Sequence, residues 1–175
     1  DRNYIPPRVK IEISCLSMDE PTELRQIRSL IGESFDGEDT DADSLARTVV
    51  PTRTFLEKLF LLAEEFQKEK PRSVRMSRHL YDLAKLMDTE YGVEALSNRT
   101  LYDAIVEHRK AYYALKYVNY DLHAPSTINF TIPESVIGAW QDDYTDMKRF
   151  FIYGESLEFE ALMQKMKELQ ERVKI

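Results

Sequence analysis

One pattern constrains the fold more than any other. From Thr54 onward the apolar residues recur at helical spacing, beginning with Phe55, Leu56, Leu59, Phe60, Leu62 and Phe66. A chain patterned this way buries helix stripes against other helices. A second helix is predicted over Ser73–Met87, with Met76, Leu80, Leu83 and Met87 on one side and Gly92 just past its end. A third covers Leu101–Tyr117, and 121–132 reads as loop. Pro133 suits the first turn of a fourth, which carries Val136, Ile137, Trp140, Tyr144 and Met147. Gly154 separates it from a last helix over Leu157–Val173. Thr54 followed by Glu57 matches a capping box, so Glu57 is read as a cap.

Only the opening of the chain departs from helix. In Arg8–Ser14, Val9, Ile11 and Ile13 alternate with Lys10, Glu12 and Ser14, the period of a half-buried strand. Pro6-Pro7 fixes an extended lead into it. A short helix is expected around Leu24–Ile31, and a second short strand over Leu45–Val50, ended by Pro51. Two lone strands make no stable sheet. The first strand is therefore expected to end a sheet whose other strands lie upstream or in another chain, and a start at Asp1 agrees with this. The expected class is α+β, mainly α. Residues 1–50 form the end of a sheet region with an acidic loop, and 51–175 form a helical domain.

Charge narrows the function. The chain carries 24 Lys+Arg against 31 Asp+Glu, a net −7, which argues against a sequence-blind nucleic-acid coat. Five of the acids lie in Asp36–Asp43, read as a mobile solvated loop. It fails as a calcium loop, because counting from Asp39 the glycine and glutamate positions hold Ser44 and Val50. Cys15 is the only cysteine, so no intrachain disulfide forms and a reducing, cytoplasmic setting is expected. No apolar run approaches the ~20 residues of a membrane span. His79, His108 and His123 lack the companions of a zinc site. The five glycines form no phosphate loop, so any phosphate must be held by side chains.

The candidate side chains lie on the first two helices. Arg75, Arg78, Asp82 and Lys85 fall at i, i+3, i+7 and i+10, within roughly an 80° arc of the second helix, with His79 beside Arg78. One reading is a solvated face with an Arg78–Asp82 pair. The other is a cationic surface for phosphates, with Asp82 orienting an arginine or acting as a base. Lys58 borders the apolar face of the first helix, where it either snorkels to solvent or places a point charge on a triphosphate. Glu12 is either an ordinary strand carboxylate or one of a magnesium-binding set. Tyr112-Tyr113 and Tyr117–Tyr120 are expected to be core and helix-packing residues, with base stacking as the alternative.

Two stretches, Pro51-Thr-Arg-Thr-Phe-Leu-Glu-Lys-Leu59 and Arg75-Met-Ser-Arg-His-Leu-Tyr-Asp-Leu-Ala-Lys-Leu86, resemble the AbiEii/AbiGii nucleotidyltransferase toxins of type IV toxin–antitoxin and abortive-infection systems. The resemblance extends through Trp140–Met147 and covers essentially the whole chain. It implies a polymerase-β-like sheet followed by a helical region. It implies transfer of a nucleotide from a nucleoside triphosphate with Mg2+ to an acceptor, RNA or a tRNA end, and an antitoxin protein as partner. By resemblance, Lys58 and Asp82 match the family's later motif residues, with Arg78 beside them, and Glu12 would be a third acidic residue. Arg75, Lys85 and His79 would flank the nucleotide. The family's first motif, Gly-Ser followed by Asp-x-Asp, is absent. Its expected place is upstream of Asp1, which makes the chain the later part of an enzyme, inactive alone, or a degenerate member. The alternative is a non-catalytic helical interaction module.

Overall fold

A computed structural model of the chain describes residues 11, 22–35, 37 and 43–174. The strand expected over Arg8–Ser14, with Glu12, falls outside these, as do Cys15 and most of the acidic segment.

The described chain is mainly helical α+β. Strand β1 (Thr22–Arg28) pairs antiparallel with β2 (Asp43–Val49), in a register that sets Thr22 against Val49 and Arg28 against Asp43. The short helix expected around Leu24–Ile31 is thus corrected to strand for most of its length. The Thr-Glu-Leu-Arg-Gln-Ile-Arg stretch has no strong period of its own, and pairing with β2 decides its state. Helix starts only where Ser29 caps it, its hydroxyl accepting the Gly32 N–H at 2.9 Å to open α1 (Leu30–Ser34).

Helix α2 (Pro51–Glu65) is the centre of the fold. It starts at Pro51, where a missing N–H costs nothing, with Val50 as N-cap and no side-chain cap. Thr54 therefore lies inside the helix, and the capping reading of Glu57 is corrected: its carboxylate pairs with Arg53 at 2.7 Å and with Arg109. Phe55, Leu56, Leu59, Phe60 and Leu62 are fully buried, because neighbours pack on several sides of this helix. Those neighbours are α3 (Ser77–Leu86), α4 (Glu90–Ser97) and α5 (Arg99–His108). Behind α3 lie α6 (Ile137–Phe150) and α7 (Phe159–Val173), which bury Trp140, Tyr144, Met147, Leu162 and Leu169.

Gly92 does not end a helix. It lies within α4, where a Cβ would stand 2.3 Å from the Leu86 carbonyl oxygen and 2.7 Å from the Met87 Cα. Only glycine lets α4 approach the end of α3 so closely. The third helix is shorter than expected: α5 stops at His108 and gives way to a π-helical turn, Arg109–Tyr113. The loop before α6 is not solvated throughout, since Ile128, Phe130 and Ile132 enter the core. Among the described residues no helix is long and apolar enough to cross a membrane.

Candidate functional site

The packing of α2 on α3 joins the two residues singled out on separate helices. Lys58 Nζ lies 2.7 Å from Asp82 Oδ2. Each sits one step off a buried stripe, Lys58 next to Leu59 and Asp82 next to Leu83, so the helix interface places them at its open edge. Asp82 takes its partner from α2 and not from Arg78, which corrects the intrahelical pair. The side chains are 23% and 36% exposed, so the pair contributes under about 1 kcal/mol to stability. Its consequence is positional: two packed helices hold an ammonium and a carboxylate at a fixed separation.

Two further side chains complete this surface. Arg78 Nε donates to His79 Nε2 at 3.5 Å. Burial, and then the positive charges of Lys58, Arg78 and Arg72, hold the His79 imidazole at about 4, below its usual 6.5. At neutral pH His79 is therefore uncharged. Lys58, Arg78, His79 and Asp82 together present two cations against one anion, an arrangement suited to an anionic ligand.

The face is set by a residue that sequence reasoning missed. Helix α3 begins at Ser77, so Arg75 is not on it, and the four-residue stripe is corrected to Arg78, Asp82 and Lys85. Arg75 adopts a left-handed backbone, φ 59°. Its N–H donates to Asp143 Oδ1 at 2.5 Å, while the Ser77 N–H and hydroxyl donate to Asp143 Oδ2 at 3.0 and 2.5 Å. A buried carboxylate from α6 thus caps α3 from outside, where it also meets the positive end of the helix dipole. The available signal was position: Asp143 follows Trp140 by three residues and so falls within the apolar stripe of its helix. Lys85 stands apart from the cluster, its ammonium 5.5 Å over the Tyr81 ring.

A second buried network braces α2. The Arg109 guanidinium donates to Glu64 through Nε at 2.7 Å and Nη2 at 2.5 Å, and to Glu57 through Nη1. Burial opposes ionisation of Glu64, but the hydrogen bonds and charge of Arg109 prevail and lower its pKa, with His123 Nε2 nearby at 3.6 Å. Near the end of α2, burial likewise acts to raise the Glu65 carboxyl. Hydrogen bonds from the Arg72 side chain and backbone and from Lys68 outweigh it and hold Glu65 at about 2.

These groups do not fit a magnesium site. Asp82 is a lone carboxylate already engaged by an ammonium, and among the described residues no group of three or more His, Cys, Asp or Glu could hold a metal. They fit a triphosphate, which side-chain cations can hold without a glycine loop.

The fold is that of a mainly helical α+β protein, and its packing gathers Lys58, Arg78, His79 and Asp82 at the edge of the α2–α3 contact. A family profile described as nucleotidyl transferase AbiEii toxin, type IV TA system, matches residues 2–165. The chain belongs to this family of toxins. No curated protein and no solved structure matches it.

Proposed function

We propose that the Lys58–Asp82 face binds the triphosphate of the nucleotide that the toxin transfers, and that the acceptor is RNA. The observation that carries this is the 2.7 Å meeting of Lys58 and Asp82 beside Arg78 and a neutral His79. Lys58 and Arg78 offset phosphate charge. Asp82 orients the ammonium before the ligand arrives, so little order is lost on binding. When a phosphate oxygen takes over Lys58, Asp82 is released to accept the proton of the acceptor hydroxyl. That oxygen bonds to the α-phosphorus as the bond to the β-phosphate oxygen breaks, and pyrophosphate leaves. Mg2+ would supply charge neutralisation at the phosphates when bound.

Calorimetry with a non-hydrolysable triphosphate tests the binding half. Lys58→Ala is expected to weaken binding about tenfold or more, as loss of a charge-assisted contact does. Asp82→Asn is expected to leave binding at least as tight, because it removes a negative charge. Equal affinity in the parent and Lys58→Ala would remove the assignment.

A further inference from the structure

Beyond α5 the chain builds a surface that the nucleotide face does not use. In the π-helical turn Arg109–Tyr113, Arg109 reaches inward to Glu64 and Glu57, while Tyr112 and Tyr113 stay outside, 65% and 39% exposed. The turn ends at Ala114 in a left-handed conformation, φ 44°. Tyr117 follows, 43% exposed. The expectation that these tyrosines belong to the core is thereby corrected. Three aromatic rings left at the surface forgo a large burial gain.

Cations lie against two of these three rings. Lys68 Nζ lies 5.2 Å over the Tyr117 ring and the Arg109 guanidinium 4.7 Å over Tyr113, while the His108 ring stacks on Tyr112 at 4.8 Å. From His108 to Tyr120 the sequence has three Lys or Arg and no acid. The adjoining Phe66–Arg75 has four and one acid, Glu69. The two stretches are tied, the Asn119 N–H donating to Gln67 Oε1 at 2.7 Å. Arg109 is buried against Glu64 and Glu57, and Lys68 and Arg72 share Glu65, so this aromatic ledge displays the exposed charges of Lys110 and Lys116.

The ledge and the nucleotide face both build on α2, with Lys58 inside the helix and Lys68 three residues past its end. Lys68 pairs with Glu65 at 2.8 Å, and Glu65 holds Arg72 at 2.7 Å. Arg72 is in turn one of the charges that act on His79, which adjoins Lys58 and Arg78. Tyr117, Lys68, Glu65 and Arg72 are linked side chain to side chain.

We propose that this ledge binds the acceptor as single-stranded nucleic acid, with bases stacked on Tyr112, Tyr113 and Tyr117 and phosphates met by Lys68, Lys110 and Lys116. The inference rests on reading the Lys58–Asp82 face as the transfer site, toward which the strand would be led. Exposed rings among cations stack on splayed bases, whereas duplex bases are already stacked on one another. The ledge offers aromatic faces and positive charge, the two elements that bind single strands without reading sequence.

The test is fluorescence anisotropy with a labelled single-stranded RNA of mixed sequence and with the same RNA as a duplex. The parent is expected to prefer the single strand. Tyr112→Ala and Tyr117→Ala are expected to weaken it about tenfold each, while Tyr→Phe at either position stays within about threefold. Lys68→Ala and Lys110→Ala are expected to lower the salt slope by about one each. Tyr153→Ala, an exposed tyrosine outside the ledge, is the control and is expected to change nothing. No RNA binding by the parent, equal binding of duplex, or parental affinity in the Tyr112→Ala/Tyr117→Ala double variant would overturn the proposal. So would loss of a protein partner in that double variant with RNA binding intact. Triphosphate calorimetry on the same variants separates the two readings. An unaffected Lys58→Ala removes the nucleotide face, and an unaffected tyrosine double variant in the RNA assay removes only the ledge.

Discussion

Asp143 is one residue on α6, yet it fixes where α3 begins and so where Arg78, His79 and Asp82 point. Asp143→Asn keeps the shape and removes the charge. It also replaces one of two accepting oxygens with an amide NH2 donor that faces the backbone donors of Arg75 or Ser77. The carboxylate accepts three hydrogen bonds, two of them at 2.5 Å, and the residue is buried. A hydrogen bond to a charged group contributes about 1.5–3 kcal/mol, and an orphaned buried donor costs about 1–3 kcal/mol. Losing one bond outright and weakening the others gives about 3 kcal/mol. For a chain of this size that lowers Tm by about 6–12 °C. Ser77→Ala removes only the hydroxyl bond and is expected to cost about 1 kcal/mol. The assay is thermal unfolding followed by far-ultraviolet circular dichroism on both single variants and the double. Because the residues share bonds, the double variant should cost less than the sum. A Tm in Asp143→Asn within about 2 °C of the parent would refute the claim that a distant carboxylate defines the start of α3.

Three further outcomes follow from the buried charges and the helix contact. Glu65 is held at about 2 when folded against 4.5 ordinarily, so its contribution is complete above about pH 5 and is lost as pH falls toward 2. Denaturant titrations of Glu65→Gln should show a shallower acid limb than the parent by about 2 kcal/mol, discounted because Arg72 is largely exposed. Arg109→Met leaves Glu64 and Glu57 without their shared cation and should cost about 3–5 kcal/mol in chemical denaturation, with part recovered by adding Glu64→Gln. Gly92→Ala drives a methyl into backbone at 2.3 Å and should cost about 1–3 kcal/mol, read as a lowered Tm.

Much of the fold was legible in the residues because helical periodicity is a local property. Phe55 to Leu62 and Leu80 to Met87 announce α2 and α3, and with them the positions of Lys58 and Asp82 at the edges of buried stripes. What was illegible depends on partners distant in the chain. The start of α3 rests on an acceptor 66 residues away from Ser77, so Arg75 was drawn into a helix it does not join. Glu57 satisfied a local capping rule, but Arg109, 52 residues on, claims it. The β1 stretch carries no period strong enough to decide its state without β2. The tyrosines after His108 were misjudged because ring size predicts burial only where the backbone turns the ring inward. The π-helical turn sends Arg109 inward and leaves the rings outside.

The central claim is that Lys58 and Asp82 act together on the nucleotide. Its most direct measurement is nucleotide transfer by the toxin carrying Lys58→Ala or Asp82→Asn, with folding checked by thermal melts. Each variant should lose at least about 100-fold in kcat/KM with its Tm nearly unchanged, Lys58→Ala partly through KM and Asp82→Asn through kcat. Parental turnover in both would contradict the account.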